Sequence, residues 1–399
     1  MAVSLDGIRG AVDEIMPGVV ADRRWLHQHP ELGYHEFETA KFVGERLRAM
    51  GIEDIRTGVG GTGVTGVIRG GLGEGKVVGL RADMDALPIL EENECDYVSL
   101  NPGTMHACGH DGHVSMLLGT ARMLNERKDQ FAGSVKLFFQ PAEEGGNGAG
   151  AMIRDGALDD LKPDAMFGIH LWNTYPVGTV KARVGPMMVG ADGFTITIHG
   201  SGGHGALPNI CIDPIATAAH VITALQTVVS RINNPILPAV LTIGAIHGGH
   251  ASNVIPDSVK MGGTIRFYNQ EQRLLMRKRL TEIAETTAAA HGARAEVELE
   301  WGVGSTDNDP AMTAIVRECA AQVVGPENVT EGDLLMVSED MSEFLSRVPG
   351  CYYLVGSMNA ERGLTWGHHT SRFDIDEDAL GIGIETMTRT VLTYLDRNR

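Results

Sequence analysis

The chain has 399 residues, 43% of them hydrophobic and 21% charged, with a formal net charge of -18. At roughly 100–200 residues per domain, that length predicts two or three domains around full apolar cores. So acidic a surface disfavours nucleic acid and anionic lipid as partners, and an anionic substrate would need locally placed cations.

The five cysteines, at 95, 108, 211, 319 and 351, are odd in number and scattered. They do not read as a disulfide framework, which points to a reducing compartment. The first twenty residues, MAVSLDGIRGAVDEIMPGVV, lack a basic start and an apolar run, so no signal peptide is expected. No apolar run approaches the ~18 residues of a membrane span. These features predict a cytoplasmic protein.

In chain order, EFETAKFVGERLRAMG (36–51) has apolar residues at helical spacing and stops at Gly51. KVVGLRAD (76–83), SVKLFFQ (134–140) and DAMFGIH (164–170) read as buried strands. The helix-like stretches 111–127 and 148–158 separate them, which predicts an α/β domain with a mixed, mostly parallel sheet. From 190 to 302 the order becomes β-α-β-β-α-β, that of a ferredoxin-like unit. The expected organisation is a domain of residues 1–187 and 301–399, with residues 188–300 inserted into it.

Each predicted strand of the first domain ends in ionisable residues: Asp83 and Asp85, Glu143 and Glu144, and His170. In open α/β sheets, ligands bind beyond the carboxyl ends of the strands. MHACGHDGH (105–113) enters the helix after the first strand, so Cys108 and His110 would reach the same edge. A Cys-x-His pair is weak evidence alone; the glycines around it and the acids and His170 elsewhere strengthen a metal site. His106 and His113 read as supporting or packing residues, and Asp111 as a helix N-cap. In QPAEEGG (140–146), one glutamate would bind metal while its neighbour acts as general base on water. The plainer alternative is an acidic helix start on a solvated loop.

GVGGTG (58–63) matches a dinucleotide-binding glycine pattern, but GVIRGGLGEG after it suggests a hairpin rather than the required helix. An oxidoreductase is therefore the weaker alternative, and no G-x-S-x-G elbow supports a serine hydrolase. A non-catalytic metal-binding protein is the other alternative, against which the paired glutamates stand. In the inserted segment, His204 between glycines suits a substrate contact, as does Asn253, and Arg266 could pair with a carboxylate. HGGHASNVIPD (247–257) also admits a second metal site. HQHPELGYHE (27–36), with three histidines and no evident acidic company, reads as structural.

RADMDALP (81–88), MHACGHDGH, QPAEEGG, GIHLWN (168–173), GSGGHGALP (200–208), SEDMSEF (338–344) and HHTSRFD (368–374) together resemble the two-metal aminoacylase and carboxypeptidase family. The branch most similar is that of hippurate hydrolases and indole-acetyl-amino-acid hydrolases, in order from about residue 22 to the end. The resemblance implies a catalytic α/β domain and a smaller lid that dimerises, giving a homodimer or homotetramer. It implies Cys108 bridging two divalent transition-metal ions, with His110, Glu144, His170 and His369 as the other ligands. Zinc or manganese are the first expectations, cobalt or nickel the next. Glu143 would be the general base, Asp85 an orienting carboxylate, and His204 an oxyanion donor reaching the partner subunit's site. Asn253 and Arg266 would hold the substrate, an N-acyl amino acid or dipeptide whose amide is attacked by a hydroxide bridging the metals. Two departures stand out: Asn209 where the branch has histidine, and Ser371 where many relatives have proline.

Overall fold

The structure, a computed structural model, describes residues 5–399. The chain forms two compact units: residues 1–187, 307–333 and 340–399, and residues 188–306 with 334–339.

The first unit is built on an eight-stranded sheet. Its strands run in the order Glu53–Val59, Gly63–Arg69, Ser134–Gln140, Val77–Asp83, Ala165–Pro176, Gly350–Met358, Val180–Lys181, Val329–Thr330. The central pairings are parallel, and the hairpin at one edge is antiparallel. Every residue of Val77–Asp83 and Ser134–Gln140 is buried. A strand covered on both faces favours a mostly apolar run, which Arg81 and Lys136 interrupt here. The helices Ile8–Gln28, His110–Asn125 and Asp378–Arg397 pack against one another. Their Leu26, Leu118 and Ile384 join Leu80, Leu137 and Phe167 of the strands in one core.

Two expectations change here. The strand containing His170 does not end there but continues to Pro176. The glycines of 58–63 lie in a tight turn between antiparallel strands, with Gly60 at φ 68° and Gly61 at φ 113°. No helix follows them, so the dinucleotide-binding reading loses its phosphate site.

The second unit is a four-stranded antiparallel sheet in the order Val240–His247, Ser258–Phe267, Gly190–His199, Arg294–Leu299. Along Gly190–His199 buried residues alternate with half-buried ones, as one covered face dictates. Pro214–Leu225 and Gln270–Ala290 supply the helical layer, and Leu225 and Leu280 meet Phe194, Ile196 and Ile198 in a second core. Asp213 caps the first of these helices by accepting the amides of Ile215 and Ala216. The segment Pro214–Ile232 is 19 residues long with mean hydropathy 1.3, apolar and long enough to span a membrane by composition. Polar His220, Gln226 and Arg231 interrupt it, and Ala218, Val221 and Leu225 on it belong to the unit's own core. Residues 334–339 complete this unit: Val189 donates its amide to the carbonyls of Leu335 (3.3 Å) and Val337 (3.0 Å).

Candidate metal centre

The carboxyl edge of the first unit's sheet gathers the metal-type side chains. One ligand atom each from Cys108, His110 and His170 lie within 4.8 Å of one another. The same holds for Cys108, Glu144 and His369, and for His110, Glu143 and Glu144. Shared members join these groups into a single cluster.

Local backbone geometry produces it. Gly109 has φ 88°, a left-handed conformation, and caps the helix His110–Asn125. That reversal places Cys108 and His110 on the same side, and a Cβ there would be strained. The turn of Glu143 to Gly146 lies between two left-handed non-glycine residues, Ala142 at φ 47° and Asn147 at φ 50°. Both oxygens of Asp85 secure it, accepting the amides of Glu143 (3.0 Å) and Glu144 (2.9 Å). Asp85 Oδ1 also lies 3.3 Å from His110 Nδ1.

His110 and His170 are each oriented by a bond from their other nitrogen. His110 donates from Nδ1 to the Asp85 carbonyl (2.8 Å), leaving Nε2 buried with no hydrogen-bond partner. His170 donates from Nδ1 to the Leu171 carbonyl (2.6 Å), so Nε2 faces Cys108 Sγ at 3.5 Å. This is how metal-binding imidazoles are commonly held. His369 has φ 62°, donates its amide to Ala107 (2.8 Å), and brings Nε2 to 3.1 Å from Glu144 Oε1. That Glu144 oxygen is buried without a hydrogen bond. His368 instead turns away: its Nε2 donates to the Leu171 carbonyl (3.0 Å) and its ring packs on Trp172 and Phe373.

Burial, with Glu144, Glu143 and Asp83 nearby, holds the Cys108 thiol well above its ordinary pKa. Burial, and then His113 and His368, push His170 well below its own. For His110, burial opposes the charged form, but Asp83, Asp85 and Glu144 outweigh it and raise the pKa to about 10. Four carboxylates thus surround soft and borderline donors with buried, unbonded lone pairs. Thiolate, imidazole and carboxylate together suit a divalent transition metal, whose charge would ionise the thiol and keep the imidazoles neutral.

Residues behind the cluster are engaged as well. His113 donates from Nδ1 to Asp83 (2.6 Å) and accepts the Leu171 amide at Nε2 (2.8 Å). Arg81 pairs with Asp83 (2.7 Å) and Asp340 (2.9 Å). Asp111 is not the expected N-cap: it is buried and pairs with Arg23 Nε (2.8 Å) and His27 Nδ1 (2.8 Å). His27 also meets Glu91 (3.1 Å), so the segment read as lacking acidic company does have it, from distant sequence. His106 is buried with neither ring nitrogen bonded. Glu36 and Tyr34, which no motif singled out, bond to the 142–146 turn.

The other expected residues belong to the second unit. His204 is exposed and pairs in register with Val254, and the adjacent Gly205 amide donates to the Asn253 carbonyl (2.8 Å). His204 Nδ1 accepts the Ala206 amide (3.0 Å), so the neutral ring carries its proton on Nε2. Arg266, on Ser258–Phe267, donates to Ser338 Oγ (3.1 Å). Asn209 lies exposed in the short turn Pro208–Ile210.

Comparison with known proteins adds the following. Residues 79–393 match the family model described as peptidase family M20/M25/M40. The chain is 42% identical over 366 residues to the N-acetyl-L-cysteine deacetylase of Bacillus subtilis (strain 168), covering 91% of this chain and 84% of that one. It is 39% identical over 381 residues to the IAA-amino acid hydrolase ILR1-like 4 of Arabidopsis thaliana, covering 94% and 86%. Among solved structures, the Bacillus subtilis YXEP protein, described as a dinuclear metal-binding peptidase from the M20 family, superposes with a TM-score of 0.84. Its identity is 34%, and the match covers 96% of this chain and 99% of that one.

Proposed function

The chain belongs to peptidase family M20/M25/M40, and from that premise we propose that it is a dinuclear metal-dependent amidohydrolase cleaving the amide bond of N-acyl amino acids. The observation that carries the reading is the cluster of Cys108, His110, Glu144, His170 and His369, with Glu143 beside it. Two relatives are named for amides of amino acids, an N-acetyl-L-cysteine deacetylase and an IAA-amino acid hydrolase. Dipeptides remain within the same chemistry.

Those five residues would hold two divalent ions, zinc or manganese first and cobalt or nickel next. When bound, the ions supply Lewis acidity toward an amide carbonyl and acidify water. Glu143 takes a proton from the attacking water and delivers it to the leaving amine nitrogen. Asp85 keeps Glu143 and Glu144 diverging by holding both amides. His204 offers its Nε2 proton to the developing oxyanion, in the site of a partner subunit. Asn253 and Arg266 bind the amino-acid portion, Arg266 supplying a local cation that an anionic substrate needs against a net charge of -18.

The second unit is also the proposed contact for a homodimer or homotetramer. Val240–His247 is an edge strand with most of its side chains exposed, and such an edge can accept another strand. All five cysteines are free, which fits a cytoplasmic setting.

The test is a panel of N-acetyl, benzoyl and indole-acetyl amino acids and simple dipeptides, assayed for free amine with manganese, zinc or cobalt present. Glu143→Ala serves as the control. Hydrolysis by the native protein but not by the variant supports the reading. No hydrolysis of any amide under any metal would favour a binding protein.

A further inference from the structure

The turn bearing the two glutamates is costly to form. It is entered through Ala142 at φ 47° and left through Asn147 at φ 50°. A left-handed conformation is disfavoured for Ala142, whose Cβ crowds the backbone, and is more readily adopted by Asn147, so neighbouring groups must enforce the entry to the turn above all. Asp85 accepts two of the amides, those of Glu143 and Glu144. The amide before them, Ala142 N, is taken by a second carboxylate: Glu36 Oε1 accepts it at 2.8 Å. Three successive backbone N–H groups are thus held by two acids from separate parts of the chain.

Glu36 is fully buried, and its other oxygen accepts the Thr62 hydroxyl. Burial raises its carboxyl above the ordinary pKa, and the Thr62 and Ala142 hydrogen bonds oppose that rise. Its own segment is tied down: the Glu31 carboxylate accepts the Thr39 amide (2.9 Å) and hydroxyl (2.9 Å), and the Ala86 amide donates to the Glu31 carbonyl (2.8 Å). At the far end of the turn the Tyr34 hydroxyl donates to the Gly146 carbonyl (2.7 Å). The segment 31–36 therefore grips the turn at both ends. A buried acid that only filled space would be better replaced by an apolar side chain.

We propose that Glu36 is a positioning residue for Glu143: anchored by Thr62, it fixes the Ala142 amide and so the direction in which the general base leaves the turn. This deepens the function proposed above and rests on Glu143 being the base. Glu36 touches neither substrate nor metal ligand; it acts through one backbone amide.

The test uses the full chain with its bound metal, as Glu36→Ala, Glu36→Gln and Thr62→Val, with Glu143→Ala in parallel. Metal per chain, hydrogen–deuterium exchange of the peptide spanning 141–150, and kcat and KM on hippurate or the best substrate of the panel are measured. Glu36→Ala is expected to keep its metal and to change KM less than about twofold, while kcat falls about 10²-fold, as for a misplaced catalytic group. Exchange over 141–150 should quicken. Glu36→Gln, which retains an acceptor, should recover most of kcat. Should Glu36→Ala fail to fold, Thr62→Val carries the test with a smaller loss in kcat and the same exchange signature. If the panel returns no substrate, the base assignment falls with the proposed function, and this proposal with it. Native kcat and exchange in Glu36→Ala, with Glu143→Ala inactive, overturn the positioning role and leave the function standing. A loss of kcat that merely follows lost metal, or a glutamine no better than alanine, overturns it too. Activity retained in Glu143→Ala removes the base assignment and this proposal with it.

Discussion

The Asp85 carboxylate accepts the amide of Glu144 at 2.9 Å while its backbone carbonyl accepts His110 Nδ1 at 2.8 Å. One residue thus orients two candidate metal ligands from different elements. Asp85→Ala should weaken metal binding about 10- to 100-fold, as loss of an orienting partner typically does. Titration of the metal-free variant with zinc or manganese, followed calorimetrically, measures this. Native affinity would show that the Asp85 carboxylate orients nothing, since the backbone carbonyl that holds His110 is kept in the variant.

The two adjacent histidines should behave differently. His369 stands with Cys108 and Glu144, whereas His368 is bonded to the Leu171 carbonyl. His369→Ala is expected to lose one metal per chain and at least about 10²-fold in kcat. His368→Ala should keep both ions and lose thermal stability instead, since its ring packs on Trp172 and Phe373. Metal analysis of both variants separates the cases, and the reverse pattern would exchange their roles.

His27 predicts a pH dependence of stability. Burial opposes its charge, but the Asp111 and Glu91 carboxylates outweigh burial and raise its pKa from 6.5 to about 9. Arg23 lies in the same network and opposes the rise; Tyr97 and His106 face the ring. A raised folded-state pKa stabilises fully below 6.5, and the contribution is lost as pH climbs through about 9. The shift corresponds to about 3 kcal/mol at most. The native unfolding midpoint should fall across that interval, and His27→Gln should be less stable at pH 6 with a flatter profile above it. Parallel profiles for the two proteins would contradict the charged pairing.

If His204 acts across a subunit interface, two inactive variants should complement. Mixing His204→Ala with Glu143→Ala under conditions that exchange subunits would restore one intact site in each mixed dimer. About a quarter of native activity is expected, because roughly half of the dimers are mixed and each carries one intact site of two. No recovery, with exchange verified by labelled subunits, would confine His204 to its own subunit or to no role.

Much of the first unit was legible because its chemistry is local. Val77–Asp83 and Ser134–Gln140 are buried at every position, so short, mostly apolar runs marked them, and the acids at or just beyond each strand marked the sheet edge. His170 was found although its strand extends past it, since a residue type survives an error in an element's end. The helix Ile8–Gln28 was not foreseen: Pro17 interrupts a pattern that Ile8, Val12, Ile15 and Val19 otherwise keep. Long-range bonds left no periodic trace. Asp111 looked like a cap because its partner His27 is 84 residues away, and Glu36 bonds to a residue 106 positions further on. The packing of 334–339 with the second unit is equally silent, being made of backbone bonds from Val189 and side-chain bonds from Arg266 and Tyr268.

The most direct measurement is metal content per chain in protein purified without chelator, with Cys108→Ala alongside. The account predicts about two transition-metal ions per native chain, as a dinuclear centre requires, and loss of most of that metal together with hydrolysis in the variant. A native chain that holds no metal, and stays inactive on every N-acyl amino acid after manganese, zinc or cobalt is added, would contradict it.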